Sequence, residues 1–321
     1  MEFTREIYWN VGNGAGTLVP MYLLTFVAIA VLVWGGLQRF RVYRQGKPLN
    51  RTDNLGVRVV KAVQTAMSQR RVLSVKGPGI VHGLFFWGFF VLFVGTCLIV
   101  IQADFSDPLF DIRFLTGNFY KVFSLALDLA GIVAIFMLAG LFVRRFIVAP
   151  VGLESKSDDF IMHGLLFAIL ITGFLIEGAR MAVTELGTPL AIWSPVGLLF
   201  AKGFAGFEEA TLRSLHYATW WLHMLLVVAF IVAIPFTKFR HIFTTSLNYL
   251  FADLGPKGKL VSVDLEDESA ESFGAAKISD MSWKDIFDTD ACTECKRCQD
   301  RCPAHNTDKP LSPMQLINRL G

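Results

Sequence analysis

Charged residues are scarce in this chain: Asp, Glu, Lys and Arg make up 18% of its 321 residues, whereas hydrophobic residues make up 53%. Soluble domains carry roughly a quarter charged residues, so this scarcity excludes an ordinary soluble domain. The mean hydropathy is +0.49. The apolar residues are also gathered into runs long enough to cross a bilayer, which takes roughly 20 residues per helix. The composition therefore predicts a helical integral membrane protein.

Cysteine is also scarce, and the N-terminal residues lack the pattern of a cleavable signal peptide. Of the five cysteines, four fall in one short C-terminal run, and Cys97 stands alone in an apolar stretch. This distribution is typical of a metal site and excludes a disulfide framework. Residues 1–19 have mixed polarity and no small-residue cleavage site, so we predict no signal-peptide removal. No feature of the chain predicts a nucleic-acid partner.

Five apolar runs predict membrane-spanning helices, because a helix satisfies its own backbone in lipid without a closed barrel. The runs are Leu18–Leu37, Gly79–Ile101, Phe119–Val143, Phe160–Val183 and Leu212–Phe236. A sixth apolar piece, Ser194–Phe204, is too short to span, and we predict an interfacial helix within a loop.

Lys and Arg are unevenly distributed among the segments that join these runs. Segment 38–78 is rich in bases and has one acid, Asp53, whereas segment 102–118 has three Asp residues and a single base, Arg113. Cytoplasmic loops carry the excess of Lys and Arg. The sequence therefore predicts an N-terminus outside the cytoplasmic membrane of a bacterium or archaeon, and a cytoplasmic location for everything after Arg240.

The C-terminal cysteines follow a C-x2-C-x2-C-x3-C-P pattern. Cys292, Cys295, Cys298 and Cys302 lie within eleven positions and are followed by Pro303. This is the run of bacterial ferredoxins, and soft thiolates suit iron–sulfur clusters. The alternative, a structural zinc site, fits less well because such sites usually have two cysteine pairs with a longer insert between them. The run predicts [4Fe–4S] chemistry.

The fourth cysteine raises a question about completeness. In two-cluster ferredoxin modules it binds the other cluster, so the first three cysteines need a ligand from elsewhere and Cys302 needs a second cluster. No second run is present. Pro313, after Ser312, opens a predicted capped helix shortly before the sequence ends. We therefore expect one or two clusters, with further ligands from a continuation of the chain or from a partner.

These features predict four parts in an all-α membrane protein. Residues 1–17 form an extracytoplasmic N-terminus, 18–250 a five-helix membrane domain, 251–290 an acidic cytoplasmic linker and 291–321 a small ferredoxin-type segment. The acids of the linker include a cluster of five, Asp264, Glu266, Asp267, Glu268 and Glu271. We expect a solvated linker; an acidic strip that docks a partner is the alternative.

Five of the six histidines lie in or at the ends of the predicted membrane helices, where ionisable side chains are costly and usually functional. They are His82, His163, His216, His223 and His241, whereas His305 follows the cysteine run. In an uninterrupted helix, His223 and His241 would share a face about 27 Å apart, and His216 would lie two turns before His223. This pattern predicts a stack of two b-type haems; helix-packing hydrogen bonds are the alternative.

The segment from Trp220 through Pro235 to His241 resembles the last helix of the gamma subunit of respiratory nitrate reductase, a di-haem cytochrome b. The segment Val81–Phe86 resembles the second helix of that family, with His82 as the inner haem ligand. With the cysteine run added, the chain is similar to membrane-bound iron–sulfur proteins related to heterodisulfide reductase. That group includes electron-transfer flavoprotein:menaquinone oxidoreductases.

The resemblance implies a pairing of His82 with His241 at the inner haem. Leu92 stands where the nitrate reductase family has a further histidine, so the partner of His223 at the outer haem stays open. His163 is an additional candidate, but the predicted topology places it on the cytoplasmic side, and His216 shares a helix with His223, which disfavours coordination of one iron by both. A single haem is the alternative to two.

The resemblance further implies a quinone-reactive oxidoreductase that passes electrons from a cytoplasmic flavoprotein or iron–sulfur partner to menaquinone. The reverse direction is an alternative, with menaquinol feeding a heterodisulfide or sulfur-compound reductase. An alternative of another class is a transporter or membrane anchor without redox chemistry. Quinone chemistry moves protons, and Asp128 and His216 are the candidate proton-relay or quinone-site residues.

Overall fold

The structure is a computed structural model and describes residues 3–150, 155–256, 266, 268, 274–275 and 277–320. The described residues are predominantly helical. They contain no β-strand, and their β pairing is an isolated bridge between Lys47 and Ser282.

The longer helices of the described part are numbered here in chain order. They are α1 (Ala15–Tyr43), α2 (Leu55–Ser68), α3 (Pro78–Val100), α4 (Gly117–Phe142), α5 (Ser157–Thr184), α6 (Pro195–Phe204), α7 (Glu209–Ala233), α8 (His241–Leu250), α9 (Trp283–Asp290) and α10 (Pro313–Leu320).

Helices α1, α3, α4, α5 and α7 are long and apolar enough to cross a membrane. They coincide with the five predicted runs, and the short loop helix is α6, so the predicted all-α membrane fold is confirmed. The helix that begins with α3 is longer than its apolar run. It continues through a π-helical stretch, Ile101–Ser106, to Phe110.

The fifth apolar run ends differently from the prediction. Helix α7 stops at Ala233 and is followed by the 3-10 turns Ile234–Phe236 and Lys238–Arg240, with Thr237 extended between them (φ −125°, ψ 179°). Pro235 lacks the N–H that a continuing helix would use. Helix α8 then begins at His241. His223 and His241 therefore lie on different helices, and the prediction of one uninterrupted helix through both is wrong.

The chain divides into two compact units. The first unit comprises residues 1–28, 72–149 and 159–231, and the second comprises residues 29–71, 150–158 and 232–321. The described part of the first unit contains α3, α4, α6 and nearly all of α5 and α7. That of the second contains α2, α8, α9 and α10.

Close approach of α3 and α4 organises the first unit. A Cβ added to Gly88 would lie 2.9 Å from the Ala130 carbonyl oxygen, and one added to Gly95 would lie 2.4 Å from the Leu127 side chain. Small residues let membrane helices approach so that their backbones nearly touch. The backbone contact at Gly88 leaves no room for a side chain.

In the second unit, α8 packs beside α2 and holds a buried arginine. Arg58, 1% exposed, donates hydrogen bonds to the Leu250 (3.3 Å) and Ala252 (2.6 Å) carbonyl oxygens and pairs with Asp53. The Ser282 hydroxyl caps α9 by accepting from the Asp285 N–H.

Helix α9 lies within the stretch predicted as an acidic linker. Of the acids of that stretch, Asp264, Asp267 and Glu271 lie outside the described residues. The four-part division of the chain stays a prediction. The predicted helix that opens with Pro313 is present as α10, and the Ser312 hydroxyl accepts from the Gln315 N–H at 3.2 Å.

Replacing Gly88 with Val should separate α3 from α4, because the new side chain meets a carbonyl oxygen rather than a movable group. We expect a loss of about 1–3 kcal/mol in the free energy of unfolding, the usual cost of overpacking. Thermal unfolding in detergent measures it. The matched control is Gly36→Val, since a Cβ at Gly36 meets nothing within 4 Å. Equal melting temperatures for the two variants would contradict the packing described here.

Candidate functional site

The cysteine run begins just after α9 and folds into a tight loop. Glu294 and Lys296 have left-handed backbones, with φ of 55° and 65°. These two reversals bring Cys292, Cys295 and Cys298 close enough for the other two thiols to act on the pKa of Cys292. No three His, Cys, Asp or Glu side chains among the described residues are placed to hold a single metal ion.

The thiols of Cys292 and Cys295 have different environments. Burial raises the pKa of Cys292, and the neighbouring thiols add to the effect. Burial acts in the same direction on Cys295, but hydrogen bonds from Arg297 outweigh it and its pKa is lowered. The Arg297 Nε donates to the Cys295 Sγ at 3.2 Å. Because thiolates are the ligands of iron, this loop contains one site already biased toward ligation.

A buried carboxylate lies between the first two cysteines. The Glu294 side chain is 5% exposed, and its oxygens accept from the Lys156 Nζ at 3.0 Å and the Lys238 Nζ at 2.9 Å. Burial would raise the pKa of Glu294, but the two ammonium groups outweigh it and lower the pKa. Glu294 is therefore a charged anchor at neutral pH.

A second carboxylate anchors the end of α9, two residues before Cys292. The Asp290 side chain is 3% exposed and accepts from the Tyr43 hydroxyl at 2.5 Å. Arg39 and Arg240 each place a nitrogen 3.5 Å from its other oxygen. These contacts tie the start of the cysteine run to α1 and to the turn before α8, all within the second unit.

The hydrogens on two candidate ligands, His163 and His241, are fixed by backbone carbonyls. The His163 Nδ1 lies 2.6 Å from the Asp159 carbonyl oxygen, and the His241 Nδ1 lies 2.6 Å from the Lys238 carbonyl oxygen. A carbonyl oxygen can only accept, so each Nδ1 carries the hydrogen and each Nε2 keeps its lone pair. This is the usual arrangement of metal-binding histidines. Burial also lowers the pKa of His241, which keeps its ring neutral.

His223 has the same arrangement through a hydroxyl group. Its Nδ1 lies 2.8 Å from the Thr172 Oγ1 on α5. The Thr172 hydroxyl donates to the Ala168 carbonyl oxygen at 2.6 Å, so it accepts from the His223 Nδ1. The Nε2 of His223 is then the nitrogen with a lone pair. The donor atoms of His163, His223 and His241 therefore fit axial ligation of iron.

His216 differs from these three histidines. The Asn10 amide nitrogen donates to the Arg213 carbonyl oxygen at 2.7 Å and lies 3.5 Å from the His216 Nδ1. If the Asn10 amide donates to this Nδ1, the hydrogen of His216 is on Nε2. The ring also packs edge to face with Trp9, with the ring centroids 4.7 Å apart. That tautomer offers no Nε2 lone pair to iron.

The remaining candidate haem ligand, His82, lies in the first turns of α3, in the first unit, whereas His241 belongs to the second unit. Their pairing at one haem stays a prediction. His163 lies among aromatic rings, with the Phe142 and Phe146 centroids 6.1 and 5.5 Å from its own.

Asp128 has a structural task. Its side chain is 1% exposed, and its two oxygens accept from the Val196 and Gly197 N–H groups, both at 2.8 Å. Those groups open α6, where free N–H groups and the helix dipole favour an anion. The contacts account for this buried carboxylate without the proton-relay role, which stays a hypothesis. His216, the other candidate for that role, is also buried.

Several residues of the site were missed by sequence reasoning. Glu294, Asp290, Lys156 and Lys238 form the anchors of the cysteine run, and Thr172 orients His223. The Glu294 contacts join positions 56 and 138 residues apart. The sequence did offer a signal for these anchors. An acid lies inside the C-x2-C spacing, and bases lie at the ends of predicted membrane helices.

The chain has five helices long and apolar enough to span a membrane, and it carries cysteines and imidazoles with the properties described above. These features place it among multi-pass membrane proteins of electron transfer. The family model described as nitrate reductase gamma subunit matches residues 21–254. The chain therefore belongs to the nitrate reductase gamma subunit family. The family resemblance stated from the sequence is confirmed.

Three curated relatives are similar to the chain. The EtfAB:quinone oxidoreductase of Syntrophomonas wolfei is 35% identical over 94% of the chain and 42% of that protein. The probable iron-sulfur-binding oxidoreductase FadF of Bacillus subtilis is 31% identical over 78% of the chain and 35% of that protein. A probable membrane-anchored ferredoxin of Chromohalobacter salexigens is 38% identical over 19% of the chain and 9% of that protein.

The chain thus spans less than half the length of the first two relatives. No solved structure matches the chain at a significant level.

Replacing Asp128 with Ala should loosen α6, because two N–H groups at its start, one of them buried, lose their acceptor. We expect a loss of about 2 kcal/mol in the free energy of unfolding, as for strong helix caps. Thermal unfolding in detergent checks this. The control is Asp107→Ala, which removes a carboxylate from an exposed pair with Arg113. An Asp128→Ala protein as stable as this control would contradict the capping role.

Proposed function

We propose that the chain carries electrons between an iron–sulfur cluster at its cysteine run and menaquinone in the membrane, by way of b-type haem. The family and the names of the relatives support this proposal. Haem and cluster, when bound, supply one-electron carriers, and the protein supplies their ligands and surroundings.

One observation carries the proposal: a single residue, Lys238, contacts both a histidine suited to iron and the cysteine run. Its carbonyl oxygen accepts from the His241 Nδ1 at 2.6 Å, and its ammonium group donates to Glu294 at 2.9 Å. All of these residues belong to the second unit. Imidazole and thiols in one compact unit suit an electron relay better than a membrane anchor or a transporter.

The ligands follow from the chemistry of the side chains. Cys292, Cys295 and Cys298 would bind a [4Fe–4S] cluster, with the fourth ligand from outside this run and Cys302 available to a second cluster. His241, with neutral ring and committed Nδ1, would bind the inner haem together with His82.

The outer haem rests on His223. Its second ligand is open: His163 has the fitting tautomer but lies at the cytoplasmic end of α5 in the proposed topology, and His216 shares α7 with His223. The topology proposed from the distribution of Lys and Arg places the N-terminus outside and the cysteine run in the cytoplasm. A cytoplasmic flavoprotein is then the electron donor, in keeping with the name of the Syntrophomonas relative.

The complete protein in membrane vesicles tests the function. With reduced flavoprotein as donor, we expect a menaquinone analogue to be reduced and the alpha band of b-type haem to appear. Cys295→Ser should abolish both, together with the low-temperature paramagnetic signal of the reduced cluster. Cys97→Ser, which alters the isolated cysteine, should leave all three intact. A wild-type protein with no alpha band would exclude the electron-transfer proposal.

Haem content tests the histidines separately. His241→Ala removes an Nε2 ligand, and we expect it to lower the haem extracted per polypeptide, whereas His305→Ala should change nothing. His223→Ala should lower the content as well if a second haem is present. Pyridine haemochrome spectra of the purified variants give the number. Unchanged content in His241→Ala would refute its assignment as a ligand.

A further inference from the structure

The carboxylate of Glu294 forms a two-sided clamp on the cysteine run. One oxygen accepts from Lys156, directly before α5 along the chain, and the other from Lys238, in the turn before α8. Glu294 and Lys238 are the more buried members, with side chains 5% and 15% exposed, and Lys156 is 47% exposed. A charge-assisted pair of this kind holds a loop more firmly than exposed ion pairs do.

The backbone of Glu294 adds to this argument. Its φ of 55° is left-handed, a region that residues other than glycine seldom adopt unless the surroundings hold them there. That reversal lies between Cys292 and Cys295 and decides how their thiols face each other. The two lysines that hold the Glu294 side chain therefore also hold the turn that arranges the sulfurs.

Lys238 extends the clamp to a histidine. The carbonyl oxygen of the same residue accepts from the His241 Nδ1. Lys238 therefore orients the ring of His241 and also binds the Glu294 carboxylate. The cysteine run is thereby connected to the histidine by two successive hydrogen bonds and one residue.

The fold does not depend on Glu294 alone. Asp290, with Tyr43, Arg39 and Arg240, anchors the end of α9 independently, and the Thr244 hydroxyl donates to the Asp290 carbonyl oxygen at 3.3 Å. Loss of the Glu294 carboxylate would leave these contacts in place.

We propose that Glu294 is a positioning residue that holds the cysteine run against the turn carrying His241, and so fixes the separation between the centres that the two bind. The proposal rests on the proposed function for the identity of those centres. The ion pairs themselves are independent of it. Without the clamp, the loop keeps its cysteines but not a fixed position relative to His241.

The decisive variant is Glu294→Gln, which keeps the shape of the side chain and removes its charge. Amide hydrogen exchange in residues 292–298 of the complete protein should accelerate by about tenfold or more, as expected for loss of a charge-assisted hydrogen bond. Exchange in the spanning helices, the cluster signal and the haem content should not change. Haem reduction through the cluster by reduced flavoprotein should slow severalfold.

Two further variants separate positioning from general stability. Glu209→Gln is the matched control, because that carboxylate is 62% exposed and pairs with Arg213 on α7, far along the chain from the cysteines. It should leave loop exchange and haem reduction at wild-type values. Glu294→Asp keeps the charge on a shorter arm and should give intermediate loop protection and an intermediate rate.

The outcomes distinguish the two proposals. Wild-type loop exchange and wild-type haem reduction in Glu294→Gln would overturn the clamp. Loss of the cluster signal in Glu294→Gln would also overturn it, because the residue would then be required for cluster binding rather than for position. If the wild-type protein shows no haem reduction by the flavoprotein, the proposed function fails, while loop exchange still decides whether the clamp exists.

Discussion

Lipid offers no hydrogen bonds, and this constraint accounts for the partners of three polar groups in the spanning helices. Asp128 is satisfied by the amides at the start of α6, His223 by Thr172, and Arg180 by an ion pair with Glu185. Each arrangement offsets the free-energy cost of burying a polar group, and each fixes the position of a side-chain atom or of a helix end. The His223 Nδ1 is bonded to Thr172 for the same reason: in lipid, each of these two polar groups needs the other as a hydrogen-bond partner.

The spanning helices could be predicted from the sequence because the hydrophobic signal is local and each run is close to the thickness of a bilayer. The cysteine run could be recognised for a similar reason, since its chemistry lies in spacings of two and three residues. The five helices and the loop helix accordingly appear where the composition put them. The helix that starts at Pro78 overran its apolar run, because a π-helical stretch carries it into polar sequence.

Other features depend on contacts that local sequence does not encode. The counting of turns between His223 and His241 failed because one proline and one extended residue, Thr237, suffice to end a helix. The anchors of the cysteine run were missed because Glu294 and Asp290 meet bases from distant parts of the chain. The capping contacts of Asp128 were missed because its partners are backbone groups, which have no signature in the sequence.

The interruption at Pro235 has a consequence for the placement of His241. Since α8 starts afresh at His241, that imidazole belongs to the same compact unit as the four cysteines and is not carried by the membrane-spanning part of α7. Contacts within that unit, from Lys238 to His241 and to Glu294, therefore determine where the ring lies relative to the sulfurs.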